Sequence, residues 1–399
     1  MTFLDFKMHF VHLSYKKDSM NIERELFETI QKSLFKHKVI LLFGARQTGK
    51  TTLLKNLIGK KESVLWLNGD ESDVRLMLQN QSSTSLKALI GNHKTVIIDE
   101  AQRIGEIGLT IKLVHDNYPE IKIIATGSSA FELRNKTNEP LTGRKLEYKL
   151  YPFSTKELIN YHGVLNESRL LQHRLIYGYY PDIVNNQGEE IDLLKNLGDS
   201  YLFKDILMLD GIKKPEKLMK LLQALALQVG SQVSYNELGG LVGLDSKTIE
   251  RYIDLLEQSF VIFKLNSFSR NLRNELKFSR KIYFYDNGIR NAMINHFSPI
   301  PIRQDVGALW ENYLIAERMK RNDYDKKYGN TYFWRTKAQQ EIDYLEENNG
   351  NLSAYEFKWN HKKNHKTTKT FTSNYPEAKI HIITPDNYLD FVLGLPIQS

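Results

Sequence analysis

Two stretches of this chain set residue types together at spacings that can do chemistry. The first is "GARQTGKTT", residues 44–52. Its spacing, G-x-x-x-x-G-K-T, lets the backbone N–H groups of Gly44, Ala45, Arg46, Gln47, Thr48 and Gly49 curl around a phosphate with no side chain in the way. Lys50 then supplies a point charge to the β- and γ-phosphates, Thr51 offers a hydroxyl to Mg²⁺, and Thr52 continues the turn. The second stretch is "EIDYLEENNGNLSAYEFKWN", residues 341–360. Asn349-Gly350 is the best two-residue hairpin turn, and pairing Asn348 with Asn351 places Asp343 opposite Glu356. Lys358, two residues on, shares that face, and Ile342, Tyr344, Tyr355, Phe357 and Trp359 take the other. Facing carboxylates repel, so the hairpin asks for a compensating charge, and oxygen ligands suit Mg²⁺. A cross-strand pair between Lys358 and Glu341 would also account for the charges, and a longer turn would shift the register.

The phosphate loop needs a strand before it and a helix after it. "VILLF" (39–43) and "KTTLLKNLI" supply both. Further β-rich runs at 63–68, 95–99, 121–126 and 146–151, separated by helical runs, predict a parallel five-stranded sheet covered on both faces. "TVIIDEAQ" ends the third strand with Asp99, placed to hold magnesium through water, and Glu100, placed to orient and deprotonate the attacking water. Thr126 and Ser128, after the fourth strand, sit where a polar side chain can sense the γ-phosphate.

Together, "TGKT", "IIDEAQ", "TGSS", "LTGR" and "PFS" resemble one abundant group of bacterial and archaeal AAA-type ATPases, in which a P-loop domain precedes a C-terminal region of poorly defined function. The resemblance implies ATP and Mg²⁺ as cofactors and Thr126 or Ser128 as sensor. It also implies Arg144 as an arginine finger acting on a neighbouring subunit, hence a homo-oligomer; a surface arginine beside a glycine turn is the other reading. "YGYYPDIV" resembles the turn that packs a lid on adenine, with Gly178 and Pro181 matching at a spacing one residue wider. A plain helical corner fits as well.

After a helical lid, "SYNELGGLVGLDSKTIERYIDLLEQSFVIFKL" and "KIYFYD" follow winged-helix grammar: a helix from Tyr235 to Leu241, a second capped by Asp245 or Ser246, then two strands. A DNA-reading role would use Lys247, Thr248 and Arg251 with wing residues Arg270, Arg273 and Lys277. Asp245, Glu250 and Asp254 thin that charge, and a purely structural role is the competing reading. The hairpin resembles the PD-(D/E)XK nuclease fold. That resemblance implies Glu311, from "GALWENYLIAERMK", with Asp343 and Glu356 as metal ligands. Lys358 would position water or stabilise developing charge, and "WRT" (334–336) with "HKKNHKTTK" would contact phosphate backbone. Such folds also persist as inactive DNA-binding or scaffolding modules.

The chain is thus expected to be α/β: an AAA+ P-loop domain (20–153), helical lid (154–215), winged helix (216–298) and restriction-endonuclease-like domain (299–399). The first 19 residues are read as a dispensable extension before Met20. Lys and Arg outnumber Asp and Glu 55 to 47, giving a net charge of +8 that permits a DNA partner without demanding one. With no cysteine, disulfides and thiolate chemistry are excluded. No apolar run reaches the ~20 residues of a membrane helix, and a cytoplasmic protein is expected. Two functions compete: an ATP-driven machine acting on DNA, with metal-dependent cleavage as an added activity, and a nucleotide-controlled signalling or defence switch whose nuclease fold is inactive. A nuclease that uses its P-loop domain only for assembly is a third.

Overall fold

The computed structural model describes residues 22–59, 63–128, 130–198, 214–269, 279–336, 338–360 and 369–397. Five strands, β1 (Val39–Phe43), β2 (Val64–Asn68), β3 (Thr95–Asp99), β4 (Lys122–Gly127) and β5 (Lys145–Lys149), form one sheet in the order β2-β3-β4-β1-β5. All four pairings are parallel. Both faces are covered, which is why the central strands β1 and β3 read as apolar runs. Ile40, Leu42, Ile97 and Ile124 face one layer with Leu26, Leu53 and Leu54, and Leu41, Phe43, Val96 and Ile98 face the other with Ile107 and Ile111. Parallel strands bring their carboxyl ends to one edge, so the loops after β1, β3 and β4 meet there.

Short helices follow at Thr155–His162, Val164–Arg169, Leu171–Tyr177, Pro181–Asn185 and Glu190–Asn196. The first begins with a capping box between Ser154 and Glu157. Next come the helix Pro215–Leu227, β6 (Gln232–Val233), the helices Tyr235–Val242 and Ser246–Gln258, β7 (Ile262–Ser267) and β8 (Arg280–Phe284). Asp245, rather than Ser246, caps the helix Ser246–Gln258, accepting from Thr248 N at 2.9 Å. That helix buries Ile249, Tyr252, Ile253 and Leu256 and packs against Ala130–Thr137 of the first domain.

The helix Val306–Tyr324 precedes β9 (Asn330–Arg335), β10 (Glu341–Asn348), β11 (Asn351–Phe357) and β12 (Lys379–Ile383). Seven strands form a single sheet, β12-β11-β10-β9-β7-β8-β6, with β7 and β9 parallel. The expected boundary at 298/299 therefore separates segments that share one sheet. Asn312 stitches them further, accepting from Phe284 N at 2.7 Å and donating to Phe284 O at 3.1 Å. The wing residues Arg270, Arg273 and Lys277, residues 361–368 of the basic stretch, and the first 19 residues lie outside the described residues.

Candidate functional sites: the phosphate loop and the carboxyl-terminal acid cluster

The phosphate loop leaves β1 at Gly44, where a Cβ would stand 2.2 Å from the carbonyl oxygen of Leu150, so only glycine fits. Lys50 Nζ bridges the loop, donating to the carbonyls of Gly44 (2.7 Å) and Ala45 (3.0 Å). Thr51 Oγ1 donates to Asp99 Oδ2 at 3.0 Å, and Thr126 Oγ1 donates to the other Asp99 oxygen. A hydroxyl and a carboxylate so close, at the base of a phosphate loop, form a hard-oxygen donor set that fits Mg²⁺.

Glu100 is a non-glycine residue at φ 49°, in the left-handed region. Its Oε2 accepts from Gln102 Nε2 (2.6 Å) and Ser128 Oγ (2.9 Å), and its backbone N donates to Thr126 Oγ1 (3.2 Å). Burial pushes its carboxyl up, but the Lys50 charge, these two hydrogen bonds and Arg46 outweigh it, holding the acid below its ordinary value. Of the two side chains expected as sensors, Thr126 donates to Asp99 and accepts from the Glu100 backbone, while Ser128 donates to the Glu100 carboxylate. Gln102 lay in the quoted motif without a role assigned to it.

A cavity of about 400 Å³ opens beside the loop, lined by Arg46, Gln47, Gly49, Lys50, Thr51 and Thr52 with Glu100. Its opposite wall is Ile22, Phe153, Pro181, Asp182 and Asn185. Pro181 lines this cavity. Gly178 does not line the cavity: at φ 76° it turns the chain against Asp286, and a Cβ there would stand 2.0 Å from Asp286 Oδ1. Arg24, which sequence reasoning missed, is buried beside the cavity. It donates to Glu157 Oε1 (2.9 Å), Thr48 O (2.5 Å) and Tyr151 O (2.6 Å) and stacks over Phe153. Only the short run "NIER" ahead of the first helix signals it.

Arg144 stands immediately before β5, at the opposite end of the sheet from the phosphate loop, where it pairs with Asp116 at 2.7 Å. It takes no part in the nucleotide cavity of its own chain.

The hairpin turns at Asn349-Gly350 with Asn348 opposite Asn351 and Tyr344 opposite Tyr355, as expected. Against β9, however, β10 carries one extra residue between Ile342 and Leu345. Ile342 consequently packs with Trp334 and Phe371, while Tyr344 and Phe357 join the main core. Asp343 Oδ2 accepts from Phe357 N at 2.7 Å.

Among the described residues, the acids whose oxygens lie within 4.8 Å of one another are Glu311, Glu341 and Asp343; Glu356 is not in that group. Lys358 lies 3.4 Å from Glu356 and 3.9 Å from Asp343, and Glu341 pairs instead with Lys281 and Arg335. Lys281 Nζ also donates to Glu311 Oε1 (2.9 Å), as does the Tyr283 hydroxyl (2.6 Å). Burial, and after it Asp343, lift the Glu311 carboxyl to about 7 against the pull of Lys281. Lys281 is itself buried; burial would lower its pKa, but Glu311, Glu341 and Asp343 raise it above the ordinary lysine value. A divalent metal is a poor fit here, because an ammonium already contacts two of the three acids.

The family model described as an AAA domain matches residues 36–159, which contain the five-stranded sheet, the phosphate loop and the Asp99–Glu100 pair. This segment is an AAA-type P-loop ATPase domain. Two models described as domains of unknown function, DUF8612 and DUF4143, match residues 168–299 and 306–394. An uncharacterized protein of Haemophilus influenzae is 26% identical over 280 residues, 64% of this chain and 68% of that protein. An uncharacterized protein of Mycobacterium tuberculosis is 25% identical over 343 residues, 84% of this chain and 73% of its own. Among solved structures, a Walker-type ATPase of Pyrococcus abyssi is 16% identical with a TM-score of 0.48, covering 68% of this chain and 96% of that one. Among the described residues no helix is long and apolar enough to cross a membrane.

Proposed function

We propose that this chain is an ATP-hydrolysing switch whose carboxyl-terminal half engages DNA, with nucleotide turnover controlling that engagement. The carrying observation is the constellation at the loop: Thr51 and Asp99 paired at 3.0 Å, beside a Glu100 oriented by Gln102 and Ser128. Thr51 and Asp99 would hold Mg²⁺, which would neutralise phosphate charge. Glu100, kept ionised, would orient a water and take its proton. Lys50 would leave the loop carbonyls for phosphate oxygens.

Two routes support communication with the other half. Arg24 joins the phosphate loop to the lid acid Glu157, and the adjacent Glu25 pairs with Arg321 of the helix Val306–Tyr324. On that helix Glu317 accepts from Thr155 N at 2.7 Å, Lys320 donates to Phe153 O at 3.0 Å, and Asp323 accepts from Tyr151. A change at the lid is felt directly by the helix that carries Glu311. DNA as the partner rests on the net charge of +8 and the basic stretch from Lys358.

A second reading, a nucleotide-controlled switch with a protein partner, draws support from the helix Ser246–Gln258. Its Asp254 pairs with Lys264 and its Glu250 with Arg280, while the helix leans on the first domain. ATP hydrolysis measured with and without duplex and branched DNA, beside Lys50→Ala as blank, separates the two. Stimulation by DNA supports the first; hydrolysis indifferent to every DNA favours the second; no hydrolysis above the blank overturns both.

A further inference from the structure

The acid cluster between the helix Val306–Tyr324 and β10 has a buried cation that its own segment does not supply. We infer that Lys281 is the resident cation of this cluster and keeps a divalent metal out of it, so that the cluster is not a metal-dependent phosphodiesterase site. This reading is independent of ATP hydrolysis at the phosphate loop.

Position comes first. Lys281 Nζ lies 2.9 Å from Glu311 Oε1 and in direct contact with Glu341 Oε1, so it sits among the oxygens that a metal would need. Its stem is held: the residue is 1% exposed, and Nζ stands 5.4 Å above the ring of Phe333. A metal entering here would have to push a buried ammonium away from its counter-ions into the core, and a buried charge without partners is strongly unfavourable.

Charge comes second. Four acids gather here, Glu311, Glu341, Asp343 and Glu356. Lys281 serves the first two, Arg335 serves Glu341 at 3.4 Å, and Lys358 serves Asp343 and Glu356. Lys358 is thereby occupied as a counter-ion.

Origin comes third. Lys281 belongs to β8, in the segment before residue 299, while every acid follows it. The cluster therefore works as a clamp, tying the hairpin and the long helix to β8.

Manganese titration of the full chain, free of nucleotide and read by the electron paramagnetic resonance of unbound Mn²⁺, tests this. Wild type and Asp343→Asn are expected to take up the same Mn²⁺. Lys281→Met is expected to take up one further equivalent, at least about tenfold tighter than any exposed acidic site. The double variant with Asp343→Asn should lose it. If Lys281→Met is unstable alone, a rise in its melting temperature with Mn²⁺, absent in the double variant, reports the same unmasked site. Wild-type uptake that Asp343→Asn removes would overturn the inference. So would a folded Lys281→Met with no added Mn²⁺. Should Lys281→Met yield no folded protein with or without Mn²⁺, the wild-type comparison with Asp343→Asn decides alone.

Discussion

Glu100 combines a left-handed backbone, two side-chain hydrogen bonds and a depressed pKa, a costly arrangement for a residue with no task. Glu100→Gln keeps the shape and hydrogen-bonding reach but cannot take a proton. It should bind ATP as wild type does and hydrolyse it on the order of 10²–10⁴-fold more slowly, measured as kcat beside a nucleotide-binding titration. Ser128→Ala removes one of the two orienting bonds and should lower kcat without changing affinity. Lys281→Ala acts elsewhere: it leaves Glu311 without its cation and Glu341 with Arg335 alone, and should cost up to about 3–5 kcal/mol of the stability of the carboxyl-terminal half, read by urea unfolding with tryptophan fluorescence. The sequence announced these residues unevenly. Lys50, Thr51, Asp99 and Glu100 are legible because a loop and two strand ends fix their chemistry locally. Arg24 and Lys281 are not, because their partners Glu157 and Glu341 lie far along the chain and meet them only through tertiary packing.

Strands show the same division between local and distant causes. The central strands β1 and β3 are readable as apolar runs, since burial on both faces leaves little polar alternation to confuse them, whereas the edge strand β5 alternates polar and apolar residues. The Asn349-Gly350 turn also announces itself, and the β10–β11 register follows from it. The extra residue in β10 does not, because it depends on pairing with β9, whose register nothing in β10 records. Nor does the joining of β7 to β9, which makes one sheet of two expected domains. The turn at Gly178 is another long-range joint, since Asp286 fills the space beside it and accepts from Tyr179 N at 2.7 Å. Gly178→Ala introduces a Cβ at a positive φ and into the carboxylate of Asp286. The lid should loosen from the second sheet, at a cost of roughly 2–4 kcal/mol. Thermal melting, with hydrogen exchange at the Leu171–Tyr177 helix, would show it; an unchanged melting temperature would mean that the joint yields freely.

Across the molecule, buried arginines hold acids in ion pairs: Arg174 with Glu167, Arg290 and Arg303 with Asp305, and Arg318 with Glu346. Burial alone would raise each carboxyl, but hydrogen bonds and cationic partners, His162 with Arg174 at Glu167 and the arginines at the other two, hold all three low. A carboxylate lower in the folded than in the unfolded state stabilises fully above its unfolded value, about pH 4–4.5, and loses that contribution as pH falls through the folded value. Melting temperatures should therefore be flat with respect to these groups near neutrality and drop steeply below about pH 4. Whether copies of the chain share a nucleotide site turns on Arg144. It lies one strand length, roughly 16 Å, from its own phosphate loop, too far to serve it, and would have to leave Asp116 to serve a neighbour. As a finger, Arg144→Ala should lower kcat on the order of 10³-fold with ATP affinity intact. Mixing it with Lys50→Ala subunits should restore part of the activity, because the latter lend their arginine to the former's intact loops. As a surface arginine paired with Asp116 it would cost at most about 1 kcal/mol of stability and leave kcat alone, and mixing would do nothing. The mixing experiment thus decides whether a single chain is a complete ATPase or half of a site shared between copies.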